Sequence, residues 1–210
     1  MKDVPTYLLC HGFGFTDEYW KNFLPLLDGD FEFFHDGFSP NPEKIYVGIG
    51  HSLGFLRLNN SKIKFRALIG LQGFLNFCGS DPTKKKFLQK NLDRMIFSFE
   101  KDPKRALEFF HELCGYDGKI PSDFFVKNSR EKLIGELEMM KSSFKHCKIP
   151  TLIIGSEDDP VVEKGILVDN FRNEDFIDLR FLDGGNHTLG YTKATEIFAL
   201  IQDFLAGIVQ

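Results

Sequence analysis

Short apolar runs alternate along the chain with stretches whose apolar residues recur at helical spacing. Val4–Cys10, Phe31–His35, Lys44–Ile49, Arg66–Leu71, Thr151–Gly155 and Ile177–Leu182 are the runs, each brief, rich in β-branched and aromatic residues and bounded by turn formers. That combination predicts buried strands. Helical spacing predicts helices over Asp17–Leu27, from Leu53 through Leu58, and over Thr192–Ile208. Between the fourth and fifth runs the alternation stops. Pro82–Phe99, Pro103–Cys114 and Ser129–Phe144 read there as three amphipathic helices, with each proline at a helix start, where its missing N–H costs nothing. The pattern predicts an α/β fold: a mainly parallel sheet of about six strands with helices on both faces. Residues 1–210 form one domain, and residues 80–148 form a helical lid inserted in it.

Composition narrows the function. The 210 residues are 42% hydrophobic and 27% charged, as in a globular protein. No apolar run is long enough to span a membrane, and the N-terminus lacks the apolar stretch of an export signal, so the expected location is the cytoplasm. Cys10, Cys78, Cys114 and Cys147 are scattered without metal-like spacing and are expected to be free thiols. A net charge of −4 argues against a nucleic-acid partner. The charge is uneven, however. Residues 80–148 hold 15 Lys and Arg against 11 Asp and Glu, while the rest holds 11 against 19. The predicted lid is therefore basic on an acidic body.

In open parallel sheets, active sites lie beyond the C-terminal ends of the strands. Three chemical groups fall there. Gly50-His51-Ser52-Leu53-Gly54 fits G-x-S-x-G between a predicted strand and a predicted helix, which is the context of an exposed nucleophilic serine on a sharp turn. A serine hydroxyl needs a base, and the base needs an orienting carboxylate. Asp158 and Asp159 follow the fifth run, and His187 follows the sixth in a glycine-rich loop. Counting from Gly155 favours Asp158 as the acid. Asp159 is preferred because Pro160 would brace it, and Asp158 is the alternative. The developing oxyanion needs backbone donors. Leu53 N–H, at the helix start, is one candidate, and Phe13 N–H, in the His11-Gly12-Phe13-Gly14 loop, is the other. His11 and His51 read as supporting groups, while His35, His111 and His146 have no evident partner. The chemistry calls for no metal and no cofactor.

HGFG, GHSLG, SEDDPVV and GGNH, in this order, closely resemble the α/β-hydrolase superfamily. The resemblance spans nearly the whole chain. It implies that fold, a serine carboxylic-ester hydrolase and an acyl ester substrate, with the roles named above for Phe13, Ser52, Leu53, Asp159 and His187. The spacing from Gly14 to Ser52 is short, which implies a trimmed sheet. Within the superfamily the chain is similar to the small esterases of biotin synthesis, which hydrolyse the methyl ester of pimeloyl-acyl carrier protein. Acyl carrier protein is acidic, so the resemblance makes Lys84, Lys85, Lys86, Lys90, Arg94, Lys104 and Arg105 candidates to dock it. It also makes Phe74, Phe77, Phe97, Phe99, Phe109 and Phe110 candidates to line an acyl tunnel. The alternatives are an esterase or thioesterase for another acyl group, and a hydrolase-like protein that binds a ligand without turning it over.

Overall fold

The computed structural model describes residues 5–172 and 174–208. Six strands form one sheet: β1 (Thr6–Cys10), β2 (Asp30–Phe33), β3 (Tyr46–His51), β4 (Phe65–Leu71), β5 (Thr151–Ser156) and β6 (Ile177–Leu182). Their order is β2-β1-β3-β4-β5-β6, and every neighbouring pair is parallel. Val4, the expected first residue of β1, lies outside the described residues. Every residue of β3 and β5 is buried, which is why these strands read as unbroken apolar runs rather than as alternation.

The chain moves from β1 to β2 in one direction and from β3 onward in the other, so the order reverses at β1/β3. Right-handed crossovers then place the connections on opposite faces of the sheet. The crevice at such a reversal is where open α/β sheets hold ligands. Around the sheet lie α1 (Leu53–Asn59), α2 (Pro82–Lys101), α3 (Pro103–Cys114), α4 (Phe124–Lys127), α5 (Arg130–Met139), α6 (Lys164–Phe171), α7 (Leu189–Thr192) and α8 (Ala194–Gly207). Helices α2–α5 all lie in the connection between β4 and β5.

Local chemistry sets the helix starts. Asp81 caps α2 by accepting from the Thr83 and Lys84 N–H groups, and Asp102 caps α3 by accepting from Arg105 N–H. In both helices proline takes the first position. Three expectations need correction. The helix expected over Asp17–Leu27 is two single 3₁₀ turns, Asp17–Trp20 and Leu24–Leu26. Pro25 has no N–H to continue an α-helix and its ring crowds the preceding turn. Trp20 and Phe23 are nevertheless buried. Helix α5 stops at Met139 rather than Phe144, because Phe144 N–H bonds the Leu75 carbonyl and Ser143 bridges Asn76. Helices α4, α6 and α7 were not expected. In α6 the apolar residues Ile166, Leu167 and Phe171 are buried, but Gly165 and the two valines before it masked the helical spacing.

Candidate active site

The turn after β3 carries Ser52 in a strained conformation, φ 51° and ψ −120°. A non-glycine residue there costs about 1–3 kcal/mol and persists only where its surroundings enforce it. They do so here. Ser52 N–H donates to the Leu71 carbonyl of β4 (2.8 Å) and Phe55 N–H donates to the Ser52 carbonyl (3.1 Å). The flanking glycines are required by space. A Cβ on Gly50 would lie 2.4 Å from the Phe55 backbone nitrogen, and one on Gly54 would lie 2.1 Å from the Cys10 carbonyl oxygen.

Ser52, His187 and Asp159 come from three separate strand ends and meet in one hydrogen-bonded row. His187 Nε2 is 3.1 Å from Ser52 Oγ, and His187 Nδ1 is 2.8 Å from Asp159 Oδ2. A carboxylate only accepts, so Nδ1 carries the proton and Nε2 is free to accept from the serine hydroxyl. Asp159 Oδ1 accepts from the Val161 and Val162 N–H groups at 2.7 and 2.9 Å. Ser52, His187 and Asp159 are all buried.

Asp158, the alternative acid, is exposed and faces elsewhere. It accepts from Ser156 Oγ and from Asn186 N–H, so it braces the loop before His187 without touching the imidazole.

Phe13 lies in the loop after β1 and Leu53 opens α1 after β3, and the N–H of neither donates to a described residue. Both are therefore free to meet an oxyanion. The loop bearing Phe13 is clamped from α2 and α3. The Phe13 ring meets Phe99 and Phe110 edge-on, each at 5.4 Å. His111 Nε2–H donates to the Gly14 carbonyl (2.8 Å), and its ring stacks on Phe15. His111 thus has a partner that the sequence did not suggest.

His51 Nε2–H donates to the His187 carbonyl (2.9 Å), and its ring stacks on Tyr19 at 4.2 Å. Burial, and then the neighbouring His187 ring, push its pKa well below the ordinary imidazole value. Burial also lowers that of His111. His11 Nδ1–H donates to the Gly12 carbonyl, and burial lowers its pKa too. His146 bonds Thr151 Oγ1 (2.9 Å) beside β5, and His35 bonds the Asp36 carbonyl.

Gln72 was missed altogether. It is fully buried directly after β4, and its side chain reaches Asp159, Asn186 and Leu189. The signal that would have found it is the rule that pointed to Ser52: a polar residue immediately after a buried parallel strand.

An apolar cleft of about 610 Å³ lies between α2 and α3. Leu88, Leu92, Met95, Phe109, Phe110 and Leu113 line it, as do Pro160 and Val161, next to Asp159. Phe77 and Phe97 also face it, but Phe74 and Phe99 do not; both are packed in the core. All seven basic residues singled out from the sequence are exposed on α2 or α3. Arg94 and Arg105 border the cleft. Among the described residues only Lys104 of the seven forms an ion pair, to Glu108 at 3.9 Å.

Cys10, Cys78 and Cys114 are buried free thiols and Cys147 is an exposed one. Among the described residues no three His, Cys, Asp or Glu side chains converge as metal ligands would, and no helix is long and apolar enough to cross a membrane.

Neither a protein-family model nor a curated protein sequence matches the chain. Solved structures do. A lipase-esterase related protein from Clostridium acetobutylicum is 16% identical with a TM-score of 0.69, over 97% of this chain and 95% of that one. MenH from S. aureus is 13% identical with a TM-score of 0.68, over 100% and 96%. An esterase from Exiguobacterium antarcticum is 13% identical with a TM-score of 0.72, over 98% and 92%. Such likeness concerns architecture, and it agrees with the six parallel strands and the serine turn after β3: the chain has the α/β-hydrolase fold.

Proposed function

We propose that this protein is a serine hydrolase that cleaves carboxylic esters through an acyl-enzyme. The observation that carries the reading is the buried row from Ser52 Oγ through His187 to Asp159, set on a strained turn. In the proposed reaction His187 Nε2 takes the Ser52 proton as the oxygen attacks the ester carbonyl. Asp159 holds the imidazole in the required tautomer and stabilises the imidazolium. The oxyanion collects the Phe13 and Leu53 N–H groups. The carbonyl re-forms as the ester C–O bond breaks, and His187 gives its proton to the departing alcohol. Water, deprotonated by the same imidazole, then attacks the acyl-enzyme, and Ser52 recovers its proton as the acid is released.

The acyl group is proposed to lie in the cleft between α2 and α3, whose lining is largely apolar and includes Pro160 and Val161 of the acid loop. Residues 80–148 would then act as a lid, and the groups covering the buried Ser52 must part for substrate to reach it. The basic side chains of α2 and α3, with Arg94 and Arg105 at the cleft itself, favour an acyl group presented on an acidic carrier. The specific reading is the methyl ester of pimeloyl-acyl carrier protein, in the cytoplasm, with Lys84, Lys85, Lys86, Lys90, Arg94, Lys104 and Arg105 as docking groups.

The test is release of the methyl group from methyl pimeloyl-acyl carrier protein, alongside hydrolysis of p-nitrophenyl esters, with Ser52→Ala as control. That substitution should lower turnover roughly 10⁴-fold or more, and a variant within tenfold of the parent would sink the triad. Hydrolysis of p-nitrophenyl esters without demethylation would keep the serine hydrolase and discard the biotin substrate.

A further inference from the structure

Gln72 occupies an unusual backbone position. Its N–H extends the sheet by donating to the Ile154 carbonyl of β5 (2.7 Å), yet its φ is +54°. A long side chain in the left-handed region is disfavoured, so something outside the backbone holds it there. The side chain shows what. Gln72 Nε2 donates to Asp159 Oδ2 (2.8 Å) and to the Asn186 carbonyl, and Gln72 Oε1 accepts from Leu189 N–H (3.3 Å). The amide orientation is unambiguous, because a carboxylate and a carbonyl only accept and a backbone N–H only donates. One carboxamide therefore ties the acid to both sides of the His187 loop.

The bond to Asp159 matters most. Oδ2 is the oxygen that also receives His187 Nδ1–H, while Oδ1 is filled by Val161 and Val162. With Gln72 in place the carboxylate has four donors and a single rotamer that satisfies them. Without Gln72 its Oδ2 would carry more negative charge toward the imidazole, and the loop bearing His187 would lose two of its buried anchors. In a low-dielectric interior both effects reach the imidazole.

We propose that Gln72 is a positioning residue of the triad, one that sets the Asp159 carboxylate and the His187 loop in register and moderates the charge Asp159 presents to the base. This rests on the reading of Ser52, His187 and Asp159 as the catalytic triad.

Gln72→Met keeps the length and removes every donor. With p-nitrophenyl acetate, and with concentrations corrected by fluorophosphonate titration of Ser52, kcat should fall roughly 10- to 100-fold while KM stays within about threefold. The acid limb of the rate profile should move to higher pH, since a less-shared carboxylate holds the imidazolium more tightly. A merely structural role would lower the titrated fraction and the melting temperature and leave kcat per active site and the profile unchanged. That result would overturn the proposal. Gln72→Glu preserves the shape if Gln72→Met does not fold. Its protonated form supplies an O–H donor, so activity should survive on the acid side and fall on the alkaline side as that proton leaves. An alkaline limb like that of the parent would overturn the proposal as well. If the parent shows no Ser52-dependent turnover, the triad reading fails and this inference falls with it. Parent turnover with unaffected Gln72 variants refutes this inference alone.

Discussion

The C-terminal edge of the sheet and the helical segment between β4 and β5 are built on different principles. At the sheet edge, side chains from separate strand ends share buried hydrogen bonds, and backbone atoms approach so closely that single positions have no freedom. In α2 and α3 of the helical segment, capped amphipathic helices border an apolar cleft, leave Phe97 and Phe109 exposed, and carry basic residues free of ion pairs among the described residues, Lys104 apart. The first region is defined by geometry and the second by composition. A residue's identity therefore says much about its role at the edge and little in the helices.

One substitution made in both regions should separate them most sharply. Gly54→Ala would place a methyl group 2.1 Å from the Cys10 carbonyl oxygen. Backbone cannot yield that far, and the expected outcome is loss of soluble folded protein. Gly135→Ala, inside α5, meets nothing within 4 Å, and a glycine in a helix interior costs about 0.5–1 kcal/mol relative to alanine. Thermal melting should show that variant stabilised by about that amount.

The paired aspartates come next. Asp159→Asn should lower kcat by roughly 10²- to 10⁴-fold, because the amide disturbs the imidazole tautomer. Asp158→Asn, whose partners are Ser156 and Asn186, should stay within about threefold. Equal effects on ester hydrolysis would erase the distinction between the two positions.

In the helices, Phe109→Ala should change substrate preference rather than chemistry. Phe109 is 67% exposed and lines the cleft. Its loss should reduce kcat/KM for an octanoyl ester by roughly three- to tenfold relative to acetate, as expected for one lost apolar contact of about 1 kcal/mol, with an unchanged melting temperature. A uniform loss on both esters would place the acyl group elsewhere.

The smallest effect concerns the junction of the two regions. His51 and His111 have pKa values depressed by burial, so the folded state binds fewer protons there than the unfolded chain. Their contribution is fully present above the unfolded value of about 6.5 and is lost as pH falls below it. The melting temperature should drop between pH 7.5 and 5.5. His111→Gln, which keeps an N–H donor for Gly14, should make that drop shallower.

The same division explains what the sequence disclosed. Six strands and their parallel arrangement were legible because each is a short apolar run, although burial is confined to the inner strands: the edge strands β2 and β6 are exposed or half-buried, each having a neighbour on one side alone. Ser52, Asp159 and His187 stood out because each follows such a run, and the structure brings their side chains within hydrogen-bond reach. Gln72 obeys the same rule but belongs to no familiar motif, and its value lies in contacts with residues 87 and 114 positions away, which no local pattern displays. The 3₁₀ turns near Trp20 kept a helix-like apolar spacing that Pro25 prevents from becoming a helix. Among the phenylalanines, spacing alone did not distinguish Phe109 and Phe110 at the cleft from Phe74 and Phe99 in the core.

The central claim is that Ser52 is a nucleophile activated by His187. Its most direct test is incubation of the intact protein with a fluorophosphonate, followed by mass spectrometry and peptide mapping. The account predicts one adduct per chain, on Ser52, abolished by Ser52→Ala and strongly slowed by His187→Ala. A folded protein that remains unlabelled, or one labelled equally well after Ser52→Ala, would contradict it.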